Sequence, residues 1–87
     1  TMTKGDNIYF IKPRHKEKLA PGRVREDGVA VYLARNSDGT FDVYRSTYYV
    51  GLYQGKHYDF SGGWNLYKNL DKTRAIKAAR NALKYID

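Results

Sequence analysis

The sequence predicts an α+β domain, a three- to four-stranded antiparallel β-sheet with one C-terminal α-helix packed on one face. Two patterns carry that prediction. Between Val29 and Asn36 the residues alternate, with Val29, Val31 and Leu33 pointing one way and Ala30, Tyr32 and Ala34 the other, the period of a half-buried strand. Between residues 71 and 86 the apolar set Ala75, Ile76, Ala79, Ala82, Leu83 and Ile86 repeats with helical spacing. The chain has 87 residues, the length of a single domain. A chain of that size buries roughly 60–65% of its surface on folding, so its core is small.

The elements follow in order. Residues 1–6 read as a flexible N-terminus. Asn7 to Lys12 is a short run of strand formers. Pro13 ends it or confines it to a sheet edge, because proline cannot donate to a ladder. Residues 13–28 hold Pro13, Pro21, Gly22 and Gly28 among many cations and read as a long basic loop. Residues 29–60 read as β-hairpins. Asn36-Ser37-Asp38-Gly39 forms the first turn, with Gly39 at a left-handed position, and Tyr53-Gln54-Gly55-Lys56 forms the second. Phe41 and Val43 fit one face of the return strand, whereas Val50 and Leu52 have the opposite parity, so a bulge near Ser46–Tyr48 is expected. Ser61-Gly62-Gly63 breaks the next strand, and Trp64 to Tyr67 either extends the sheet or leads into the helix. Asp71 is the N-cap, and small alanines let the helix lie close to the sheet.

Charge is the main anomaly. Sixteen Lys and Arg face nine Asp and Glu, a net charge of +7. Such an excess bears on partners rather than on fold. It is uneven along the chain. Residues 1–27 carry seven basic and four acidic side chains, residues 28–66 three of each, and residues 67–87 six basic and two acidic. There is no cysteine, which excludes disulfides, thiolate zinc sites and a thiol nucleophile. Two scattered histidines do not make a closed metal site, and no cofactor is expected. No run of 18 apolar residues and no signal-peptide core is visible, so a cytoplasmic protein without membrane binding is expected.

Two stretches are candidate phosphate grips. Lys12, Arg14, Lys16 and Lys18 alternate, so an extended chain would show them on one side, and Arg23 and Arg25 follow. This pattern fits an arm that tracks a nucleic-acid backbone. Lys77, Arg80 and Lys84 stand at i, i+3 and i+7 on the helix, with Arg74 at the border. No glutamate mixes with them, although a merely solvated helix usually mixes signs. Each phosphate neutralised in this way adds a salt-dependent term to binding. Arg45, Lys56 and Tyr48 complete the set. Nine tyrosines, most of them on predicted strands, are candidates for stacking unpaired bases on the sheet face not covered by the helix.

A three-stranded sheet followed by one helix, over residues 29–86, is similar to the arm-type DNA-binding domains of integrases. That resemblance implies a sheet face inserted into the major groove of DNA.

The reading that follows is a non-enzymatic nucleic-acid-binding protein, with RNA ahead of DNA. The alternative from another class is a small inhibitor, of the kind encoded by phages and mobile elements, that binds an acidic protein or a ribonucleoprotein such as a nuclease or toxin. An endoribonuclease is a third reading. It would cast His57, His15 or Glu17, and Arg45 as base, acid and cation.

Overall fold

The computed structural model describes residues 1–51 and 56–86. Five strands run in the order β1 (Met2–Lys4), β2 (Asn7–Ala20), β3 (Arg23–Arg35), β4 (Phe41–Gly51) and β5 (His57–Leu70), followed by α1 (Lys72–Tyr85). Spatial order equals chain order, and every neighbouring pair is antiparallel. The α+β class and the C-terminal helix are as the sequence predicts. The strand count is five rather than three or four.

Two differences account for the count. Residues 1–6 are not a loose terminus, since Met2, Thr3 and Lys4 pair with Tyr9, Ile8 and Asn7 across a turn at Gly5, whose φ is 61°. Residues 13–28 are not a loop. They form the far half of a long β2–β3 hairpin that turns at Pro21-Gly22, where Gly22 takes φ 75°. Pro13 is accommodated because β1 covers only Asn7 to Tyr9, leaving β2 an edge strand beyond that point. The register also shifts between Pro13 and His15, with Arg14 the inserted residue. Gly28 lies opposite this bulge, and a β-carbon there would sit 2.2 Å from the carbonyl oxygen of Lys12. A glycine at this position lets the two backbones approach closely enough for the hairpin to continue past the proline. The arm makes the molecule elongated, 45 × 27 × 19 Å.

The parity change along β4 has a different cause from the bulge expected near Ser46–Tyr48. The β3–β4 register is unbroken from Glu26↔Val50 to Arg35↔Phe41, and the shift that does occur around Ser46, between Arg45 and Thr47, lies in the pairing of β4 with β5. Instead, both faces of the sheet are buried, each at its own end. On one face Phe10, Val31, Leu33, Phe41 and Val43 pack under α1. Ala75 and Ala79 are fully buried there, and their small side chains admit the close approach. Asp71 caps the helix by accepting from the backbone N–H of Arg74 at 2.9 Å. Lys12 Nζ donates to the Ile86 carbonyl at the other end, which answers an orphan acceptor and the negative pole of the dipole.

On the opposite face the sheet curls. Ala30 and Ser46, paired across β3 and β4, are fully buried. Their small size leaves room for larger rings from the flanking strands. Tyr9 of β2 and Phe60 of β5 meet there as a stacked pair with centroids 4.0 Å apart. Tyr32 and Tyr44 extend the aromatic column on one side, and Tyr48 and Tyr58 on the other. Lys4 Nζ lies 5.9 Å from the Phe60 centroid and donates to the Tyr58 carbonyl at 3.4 Å, so β1 reaches β5 across the concave side. The predicted turn at residues 53–56 falls, apart from Lys56, outside the described residues. The first turn is as expected, with Gly39 at φ 88° and Asn36 N–H bonded to the Thr40 carbonyl at 2.7 Å. Trp64 to Tyr67 extends β5.

Candidate nucleic-acid interface

The arm does not hold its cations in one row. The inserted Arg14 reverses the alternation, so Lys12 shares the helix-side face with Val29 while Lys16 and Lys18 point to the concave side opposite Glu26 and Val24. Pairing then sets acids against bases. Glu17 stands opposite Arg25, His15 opposite Asp27, and Lys16 Nζ is 4.0 Å from Glu26. Cross-strand pairs of opposite sign stabilise a two-stranded ribbon. Of these facing pairs Lys16–Glu26 alone comes within 4.0 Å among the described residues, while Glu17 Oε2 lies 3.2 Å from His15 on its own strand. Lys12 is likewise occupied with the helix C-terminus. Arg14, Lys18, Arg23 and Arg25 remain on the exposed surface.

Tyr48 is not displayed for a ligand. It is 2% exposed and its hydroxyl donates to Glu26 Oε2 at 2.9 Å. Burial, and then the Glu26 carboxylate, push its phenol well above the usual range. The face opposite the helix is thus a second small core rather than an open platform. The flat sheet surface implied by the integrase-like resemblance is closed off by the Tyr9–Phe60 pair. Lys56 sits 5.4 Å from the Tyr58 centroid, at the rim of this side.

The helix arrangement is different. Arg74, Lys77, Arg80 and Lys84 all line one open groove of about 800 Å³, together with Tyr67 and Leu70 from the end of β5, and no carboxylate is among its lining residues within the described part of the chain. Arg74 is held by Asp71, Nε to Oδ2 3.6 Å, an exposed pair. Among the described residues no carboxylate lies within 4.0 Å of Lys77, Arg80 or Lys84. The Arg80 guanidinium lies 5.9 Å from the Phe10 ring, and Lys84 Nζ 5.8 Å from the Tyr85 ring. Like charges three and four residues apart cost a helix roughly 0.2–0.5 kcal/mol per pair. Among the described residues no carboxylate stands close enough to Lys77, Arg80 or Lys84 to offset that repulsion.

Arg45 faces the helix side of β4, directly opposite Trp64 of β5. Trp64 was not among the sequence candidates, yet it is 59% exposed. The available signal was its place just after the Ser61-Gly62-Gly63 break, where β5 is bent away from regular pairing. The register of β4 and β5 shifts on both sides of this segment, and Gly62 takes φ 79° with the Trp64 ring lying over it.

The two histidines do not converge. His57 Nε2 is 3.1 Å from Asp59 Oδ2, and His15 Nε2 is 3.2 Å from Glu17 Oε2. His15, Asp27, Tyr49 and Asp59 form one row across four strands, whose ends are about 14 Å apart at the usual inter-strand spacing. Tyr49, whose phenol bonds to Asp59 and is pushed up by that carboxylate, stands inside the row. One phosphate cannot touch both histidines. Among the described residues no group of three or more His, Cys, Asp or Glu is arranged to hold a metal ion. No helix among them is long and apolar enough to cross a membrane.

No family model, no curated protein and no solved structure matches this chain.

Proposed function

We propose that the protein is a non-enzymatic nucleic-acid-binding domain, RNA ahead of DNA, whose phosphate grip is the outer face of α1. The observation that carries this reading is the groove lined by Arg74, Lys77, Arg80 and Lys84, with no carboxylate among its described lining residues. Four cations along one helix match the repeating charge of a phosphate backbone, and among the described residues only Arg74 has a carboxylate partner to give up. The exposed arm cations Arg14, Lys18, Arg23 and Arg25 add to the attractive field without forming a site. If the groove neutralises three or four phosphates of a single strand, log K falls against log salt with a slope of about −2 to −3. Anisotropy titrations of a labelled oligonucleotide over a range of salt measure that slope. Lys77→Glu with Arg80→Glu should flatten it by roughly 1–2 and lower affinity at low salt. A slope near zero in the unaltered protein, or one untouched by the charge reversal, rejects the reading.

A second reading has its own observation. The arm displays both signs of charge in cross-strand pairs and carries Leu19, 53% exposed, beside its turn. Mixed polarity around an exposed apolar residue suits a protein surface better than a phosphate chain. In this reading the arm inhibits or recruits a protein or ribonucleoprotein. One stoichiometric protein partner recovered after complete nuclease digestion, and lost with Leu19→Asp, would favour it.

A further inference from the structure

We infer that the nucleic acid bound along α1 is single-stranded, and that its bases stack on Trp64 and Tyr67 of β5. This rests on the phosphate-binding reading of the helix and adds the class of strand.

The placement comes from the register. Trp64 pairs with Arg45 and Tyr67 with Val43. Val43 packs under α1, so both rings belong to the helix side of the sheet. Val43 and Arg45 are successive same-side positions on β4, about 7 Å apart. Tyr67 also lines the basic groove. Tyr67 therefore joins the cationic groove, and Trp64 stands next along β5, opposite Arg45 of β4.

Exposure supports a ligand role. Trp64 is 59% and Tyr67 48% exposed, and Leu66 between them 38%. Tryptophan is seldom left this open in a small domain whose core is scarce. Tyr9, Tyr48 and Phe60 are consumed by the concave core, so they cannot supply the stacking. A duplex keeps its bases paired and stacked, so their ring faces are closed to such a surface, whereas a single strand offers ring faces together with phosphates. Charge sets the partner class. The neighbouring helix face holds Lys77, Arg80 and Lys84 without a carboxylate within 4.0 Å among the described residues, which suits a polyanion with bases and not an apolar peptide.

Trp64 is the only tryptophan in the chain, so fluorescence excited at the red edge of its absorption, where the nine tyrosines do not absorb, reports on this position alone. Titrating the full chain with an oligouridine of about 12 nucleotides should quench and shift its emission. A duplex of equal length should bind with salt dependence but leave the emission nearly unchanged. Trp64→Ala should weaken the oligouridine roughly 10-fold and leave duplex affinity unaltered, while Trp64→Phe retains most of it. If the single strand binds with a steep salt slope and Trp64 emission does not respond, or the duplex binds as well as the single strand, the stacking inference is overturned and the helix reading survives. If neither ligand binds in a salt-dependent way, both fall together. The quenching needs no variant, so misfolding of a mutant cannot obscure the result.

Discussion

Replacing Phe60 with alanine separates a core role for the concave aromatic face from a binding role. The Phe60 ring stacks on Tyr9 at 4.0 Å and lies 6.2 Å and 6.4 Å from the Tyr48 and Tyr58 centroids. Phe60 is half-buried. Truncation returns roughly 100 Å² of apolar surface to water, about 2.5 kcal/mol at 25 cal/mol per Å². Loss of the ring pairing adds about 1 kcal/mol. The sum, about 3–4 kcal/mol, lies within the span for Phe→Ala in cores. For a domain of this size it lowers the melting temperature by roughly 15–25 °C. Tyr9 should become accessible at the same time, because its stacking partner from β5 is gone. Urea denaturation followed by circular dichroism measures the change, and the same sample tested for oligonucleotide binding in the absence of urea gives the other arm. A fall in stability with little change in affinity of the folded fraction is expected. A stability change under about 1 kcal/mol with a large loss of affinity would refute the closed second core and return the concave tyrosines to the role of a binding surface.

Two further substitutions test the buried polar groups. Tyr48→Phe removes the hydroxyl that donates to the buried Glu26 carboxylate and should cost about 1.5–3 kcal/mol in denaturant titrations. Because burial raises the folded-state pKa of Tyr48 above the ordinary value near 10, the unfolded chain loses this proton first. Stability contributed by the neutral phenol is therefore complete below pH 10 and declines as pH rises beyond it. Alkaline melting of the unaltered protein and of Tyr48→Phe should converge as pH increases, and parallel curves would count against the assignment. Ser46 Oγ is fully buried and has no hydrogen-bond partner among the described residues. Ser46→Ala should then raise stability by about 1 kcal/mol, and a lower melting temperature would show that the hydroxyl is satisfied.

The local order of this protein was written in short stretches of its sequence. The period of Val29 to Leu33, the cap and alanines of α1, and the Asn36–Gly39 turn each follow from interactions among near neighbours. So does the row Lys77, Arg80 and Lys84, because helical spacing alone fixes which side chains share a side. What depends on cross-strand register could not be read in the same way. Arg14 inserted beside Pro13 moves Lys16 and Lys18 to the other face, and a one-residue shift in a strand reverses every side chain beyond it. Glu17, Glu26 and Asp27 come to face Arg25, Lys16 and His15 only once β2 and β3 are aligned. The fate of the tyrosines was decided by curvature. Ala30 and Ser46 make space for Tyr9 and Phe60, residues 51 positions apart in the chain, and their meeting removes one aromatic face from solvent while the bend at Gly62 leaves Trp64 on the other. Side-chain spacing within one element is a property of the chain. Which elements oppose each other, and how far the sheet bends between them, is set by packing across the whole domain.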